Sequence, residues 1–107
     1  MSDDLKKFEV YESRRFTKAL DKLSESHLVI VEDEIEKIIA DPELGTQKRG
    51  DLSHLWVHKF KMDRLEVLLG YSWFEGKLEM YLLNFSSHEN FYDGMKKSRK
   101  ADMKLMN

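Results

Sequence analysis

Directly after the aliphatic run LEMYLL, the chain reads NFSSHENFY over residues 84–92. His88 stands there among polar neighbours, with Glu89 beside it and the ring pair Phe91-Tyr92 closing the stretch. An imidazole ordinarily titrates near pH 6.5, so it can hold and give a proton near neutrality. A second group of interest is cationic. Residues 46–64 carry five basic groups, Lys48, Arg49, Lys59, Lys61 and Arg64, against two acidic ones, and residues 96–107 carry five against one. The remainder is acidic, −5 over residues 1–45 and −4 over residues 65–95, so the whole chain is only −2. That balance argues against generic nucleic-acid binding, yet two basic segments brought together by a fold would make a local anion site. Lys59 and Lys61, two positions apart in an alternating stretch, would send two ammonium groups the same way.

Composition removes several other chemistries. There is no cysteine, hence no disulfide framework, thiolate zinc site or thiol nucleophile, and a reducing cytoplasm fits. The opening MSDDLKKFEV has no signal-type apolar segment, and no apolar run approaches the ~20 residues that cross a bilayer, so a soluble cytoplasmic protein is expected. With 107 residues and 41% hydrophobic content, one core and one domain are expected.

The elements that must position these residues can be read from periodicity. KFEVYES alternates, with Phe8 and Val10 on one side, and suits a first strand. Ser13 is placed to cap a helix carrying Phe16, Ala19, Leu20 and Leu23 on one stripe. After Ser24-Glu25-Ser26 a second helix aligns Leu28, Val31, Ile35, Ile38 and Ile39 opposite Glu32, Asp33, Glu36 and Lys37. Asp41-Pro42 ends it, because the residue before proline avoids helical geometry. LGTQKRGD is expected as a polar loop.

From there the period becomes two. LSHLWVHKFKM alternates with Trp56 and Phe60 one way and Val57, Lys59 and Lys61 the other. LEVLLGYSW places Leu65, Val67, Leu69, Tyr71 and Trp73 on one face, FEGK turns the chain, and LEMYLLNF returns. A helix is expected from about Glu89, with a sparse Met95, Met103, Met106 stripe. The class is α+β: an N-terminal strand, an α-hairpin packed on a small twisted antiparallel sheet, and a C-terminal helix. The hairpin covers one face of the sheet and leaves the other open, with Lys59 and Lys61 projecting from it. Ser86-Ser87-His88 is expected as the exit from the sheet, and Phe91-Tyr92 as the anchor of the C-terminal element. His58 falls on the core side and is expected to be packed or hydrogen-bonded, His54 to lie in a loop, and Trp56 and Trp73 to be core.

This order of elements, the hairpin ending near DPELG, the strands GDLSHLWVHKFKM and LLGYSW, and the terminal SHENFY resemble the toxins of the RelE/ParE superfamily of bacterial toxin–antitoxin modules. The likeness covers about residues 6–95, leaving a basic tail over residues 96–107, all within a single toxin domain. It implies an mRNA endoribonuclease that needs no metal or other cofactor and works by attack of a ribose 2′-OH on the adjacent phosphate. His88 matches the catalytic histidine that ribonuclease members such as YafQ and YoeB carry just after the last strand. Tyr92 would stack on a base or support the leaving group, and Glu89 would act as base or orient His88. Lys59, Lys61, Arg64, Lys48 and Arg49 would bind RNA. The implied partners are a cognate antitoxin and mRNA, free or on the ribosome.

Two features depart from the ribonuclease pattern. RelE-like members carry an arginine inside the strand matching LEVLLGYSW, whereas here the polar residue within it is Glu66 and Arg64 lies just before. The pI is near 6.1, although many ribonuclease members are strongly basic. The alternatives are a ParE-like inhibitor of DNA gyrase without nuclease activity and a catalytically silent member that only binds its antitoxin.

Overall fold

The computed structural model describes residues 8–107. Lys7, the first residue of the expected opening strand, and the rest of the N-terminal segment lie outside them. Helix α1 (Arg14–Asp21) begins where the Ser13 hydroxyl accepts from Phe16 N at 3.1 Å and donates to Leu83 O at 2.6 Å. One side chain therefore both caps the helix and fastens it to a strand. Helix α2 (Glu25–Ala40) is capped in the same way by Ser24 and stops at Asp41-Pro42. Phe16, Val31 and Ile38 are fully buried, with Ala19, Leu20, Leu23, Ile35 and Ile39 packed around them, as the 3.6-residue period requires. No helix among the described residues is long and apolar enough to cross a membrane.

Strands β1 (Glu9–Glu12), β2 (Thr46–Gln47), β3 (Trp56–Met62), β4 (Leu65–Phe74) and β5 (Glu79–Ser87) form one sheet in the order β1-β5-β4-β3-β2. The α+β class holds. The sheet itself is mixed, since β1 runs parallel to β5 while the other pairs are antiparallel. Alternation shows which residues share a face but says nothing of a strand's neighbour or direction. The expected LGTQKRGD loop contains β2, which pairs Thr46 with Val57 and Gln47 with Trp56. Gly45 leads into it through a gap that only glycine fits: a Cβ there would lie 2.7 Å from Tyr71 Oη and 2.8 Å from Val57 O. Tyr71 Oη accepts from Gly45 N at 3.0 Å and donates to Pro42 O at 2.6 Å. Burial pushes that hydroxyl's pKa up to about 12.

One face of the sheet, with Phe60, Val67, Leu69, Tyr71, Met80, Leu82 and Phe85, packs under α1 and α2. His58, on this face, donates from Nε2 to Glu34 Oε1 of α2 at 2.6 Å, so it is hydrogen-bonded as expected. Leu65, expected on the same face, is 65% exposed because it begins β4 at the turn. The opposite face is not open along most of its length. Val57, Leu68, Tyr81 and Leu83 are buried there by Phe91 and Met95 of α3 (His88–Lys97) and Met106 of α4 (Arg99–Met106). The reason is in the strands: VLLGY and MYLLNF are continuous apolar runs, and a strand apolar on both sides needs cover on both sides. The basic tail is accordingly a packed helix. Asp102 of α4 is 1% exposed and takes a 3.3 Å contact from the Arg15 guanidinium, which also donates to Leu83 O at 3.1 Å.

Candidate functional site

Ser86 and Ser87, expected to leave the sheet, are its last paired residues, opposite Leu68 and Val67. Helix α3 starts at the next residue, His88, which is exposed. Residues four apart lie on one side of a helix. Accordingly the His88 and Tyr92 rings stand 6.0 Å apart at 75°. Between them in sequence, Phe91 points the other way and is fully buried. It sits over Gly70, where a Cβ would lie 2.7 Å from Phe91 Cζ and 2.8 Å from Leu55 Cδ1. The absent side chain lets the ring in, and the inserted ring fixes the rotation of α3, which turns His88 and Tyr92 outward. Tyr92 packs edge-on against Phe91 at 5.1 Å and is half-buried.

The first cation arrives from the loop after β2. Lys48 is held by its backbone N–H bond to Leu55 O at 2.9 Å, and its Nζ lies 5.3 Å from the centre of the Tyr92 ring. An ammonium at that range is attracted by the ring's negative face. Lys48 and Lys59 line one groove of about 330 Å³, at the edge of β3 where β2 gives out, with Leu44, Thr46, Val57 and His58. Lys59 stands opposite Leu68, which stands opposite Ser86, so the three form a row across the face that ends two residues before His88. Lys61 is in the next row, opposite Glu66, whose carboxylate partly offsets its charge. Both lysines are exposed.

The remaining expected residues are less involved. Glu89 is exposed in the first turn of α3, where a carboxylate complements the helix's positive end. Arg49 is exposed beside Lys48, and Arg64 is exposed on the β3–β4 turn after Asp63, whose φ is 59°. Neither lines the groove. The fold thus gathers His88, Tyr92 and Lys48, sets Lys59 in the groove it shares with Lys48 and Lys61 in the neighbouring row opposite Glu66, and leaves the two arginines at the margin.

Thr46 and Leu44 of the groove were not legible, because only tertiary packing brings that loop to β3. Arg15 and Asp102 were also missed, though a signal existed. Arg14 and Arg15 open α1 with no acidic residue in its first turn, against the helix dipole, so a carboxylate from elsewhere was needed. A larger cavity of about 780 Å³ lies beside this pair, between the start of α1 and α4. It mixes Arg14, Arg15 and Lys104 with Glu12 and Asp102, and lacks a histidine.

The family model of the ParE-like toxin of type II bacterial toxin–antitoxin systems matches residues 10–96. The chain belongs to this family. Solved structures agree in fold. A RelBE toxin–antitoxin complex of Mycobacterium tuberculosis is similar at 17% identity and a TM-score of 0.63, covering 77% of this chain and 99% of that one. The intact E. coli RelBE complex matches at 14% identity and 0.60, covering 75% and 95%. A doubly substituted E. coli RelE in the free state matches at 13% and 0.63, covering 80% and 88%. At such identities the likeness establishes the fold of this ParE-like toxin. No curated protein sequence matches it.

Proposed function

We propose that this ParE-like toxin, as one domain, is an mRNA endoribonuclease that needs no metal and arrests translation and growth in the cytoplasm until a cognate antitoxin binds it. The observation that carries this reading is the placement of His88 and Lys48 around the Tyr92 ring, with Lys59 in the adjoining groove. In the proposed reaction the ribose 2′-oxygen bonds to phosphorus and the bond to the 5′-oxygen breaks, leaving a 2′,3′-cyclic phosphate and a 5′-hydroxyl. A base must take the 2′-proton and an acid must give one to the departing oxygen. His88, exposed at the mouth of the site, is the acid, and Glu89 is the base. Lys48 and Lys59 supply positive charge where the pentavalent phosphorus gathers negative charge. With Lys48 over its ring and Phe91 at its edge, Tyr92 acts by holding Lys48 and His88 in place rather than by stacking a base.

The RelBE complexes among the similar structures support an antitoxin as partner. A second reading, inhibition of DNA gyrase without nuclease activity, is favoured by Glu66 within β4, where the ribonuclease resemblance calls for arginine. Purified toxin incubated with mRNA, with and without ribosomes, separates the two. Cleavage to cyclic-phosphate ends that is lost in His88→Ala supports the nuclease. Intact RNA together with blocked gyrase supercoiling supports the second reading.

A further inference from the structure

The face of the sheet that carries His88 at one end is left uncovered at the other, roughly 20 Å along β4. There Tyr11 of β1 is 39% exposed and Phe74 of β4 is 37% exposed. Their rings meet on Tyr81 of β5. Tyr11 stacks on it at 5.1 Å and 20°, and Phe74 stands edge-on at 6.0 Å. Carboxylates border the rings: Glu9 and Phe74 both register with Glu79, and Tyr81 Oη donates to Glu79 Oε1 at 2.9 Å. The local field is negative, for Glu9 first, with burial and Glu79 adding, pushes the Tyr11 hydroxyl's pKa up.

Three kinds of occupant can be weighed by charge. Nucleic acid would bring phosphates against Glu9 and Glu79, which repel them. A purely apolar surface would dry the carboxylates without pairing them. A cation satisfies both halves of the surface at once, lying over a ring and beside a carboxylate. The chain already shows this preference, with Lys77 Nζ 5.7 Å from the centre of the Phe74 ring. Between the two basic side chains, arginine fits better, because its planar guanidinium stacks on tyrosine while its N–H groups meet a carboxylate pairwise.

We propose that Tyr11 and Phe74, packed on the buried Tyr81 and bordered by Glu9 and Glu79, form a docking surface for an arginine-bearing segment of a partner protein. The surface is separate from the His88 site and does not depend on the nuclease reading.

The test uses the full chain labelled with nitrogen-15 and a capped pentapeptide alternating leucine and arginine, with lysine and glutamate counterparts. The arginine peptide should shift amide resonances of β1 and of the Phe74 end of β4. Its affinity should fall at least tenfold in Tyr11→Ser and in Glu79→Gln, and stay unchanged in His88→Ala. The lysine peptide should bind more weakly and the glutamate peptide not at all. Shifts spread along the acidic side of α2, with affinity unchanged in Tyr11→Ser and Glu79→Gln, would overturn the proposal as general charge attraction. Concentration-dependent dimers that Tyr11→Ser dissolves would overturn it in favour of a second copy of this chain. Binding that appears only after residues 1–7 are removed would make the chain's own N-terminus the occupant and would overturn it as well.

Discussion

Asp102 and Arg15, 87 positions apart in sequence, meet at 3.3 Å and tie α4 to the first turn of α1. Burial raises the Asp102 carboxyl's pKa, and the hydrogen bond and charge of Arg15 oppose that shift without cancelling it. Replacing Arg15 with alanine strands a buried carboxylate. The expected loss is about 2–3 kcal/mol, below the ~3–5 for a fully buried pair because Arg15 is 30% exposed. Asp102→Asn should cost less, since it leaves only a partly exposed guanidinium unpaired. Urea denaturation midpoints of the two variants check the order.

His88→Ala should lower the rate of RNA cleavage by about 10² to 10⁴, the usual contribution of a general acid. Because His88 is exposed, its stability should stay within about 0.5 kcal/mol of the parent. A folded His88→Ala protein that cleaves RNA as fast as the parent would remove His88 from the chemistry.

Neutralising Lys59 and Lys61 together should weaken RNA binding at low salt. The slope of log affinity against log salt should shrink by roughly 0.7 for each single-strand phosphate that no longer meets a cation. Lys59 alone should account for most of the loss, since Lys61 faces Glu66. Glu66→Gln should change binding little. A salt titration of the variants, read by fluorescence anisotropy, decides this.

The Glu34 carboxyl is pulled two ways. Burial raises its pKa, but hydrogen bonds from His58 and Lys37 outweigh burial and hold it below the ordinary 4.5. An acid depressed on folding stabilises the native state above its unfolded pKa, and that stability is lost as pH falls through the folded value. The denaturation midpoint should therefore drop as the pH falls below about 4.5, and drop less in Glu34→Gln. Midpoints collected from pH 6 downward test the sign.

Gly70→Ala should destabilise the fold by about 1–3 kcal/mol, the range for overpacking a filled core. The new methyl would press on Phe91 and Leu55. Its effect should reach function, because displacing Phe91 rotates α3 and with it His88 and Tyr92. Hydrogen exchange should show faster opening of α3 amides than in the parent.

Much of this could be read from residue order, for identifiable reasons. Ser13 and the Ser24-Glu25-Ser26 break, each followed by a 3.6-residue apolar stripe, mark two helices by local chemistry alone; Ser13 caps as expected, and Ser24, read only as part of the break, caps the second. Alternation in β3 sorted Trp56 and Phe60 from Lys59 and Lys61. The second helical layer was misjudged because Met95, Met103 and Met106 look sparse until Leu68 and Leu83 are counted as apolar on the face they meet. In the candidate site, His88 and Tyr92 are four apart and needed only the helix period. Lys48 comes to Tyr92 across 44 positions of sequence, and no local pattern encodes that approach.

The parallel pairing of β1 with β5 governs the order in which the molecule can assemble. Val10 finds Met80 as its partner, and the Ser13 hydroxyl finds Leu83 O 70 positions away. Contacts so distant in sequence close late, since a long loop must be closed before they contribute. While the chain is being synthesised, β1 and the α-hairpin must wait without their sheet until the last strand has emerged. Only then can α3 dock and bring His88 and Tyr92 to Lys48. A toxin built this way cannot assemble its candidate site before β5 and α3 have both been translated.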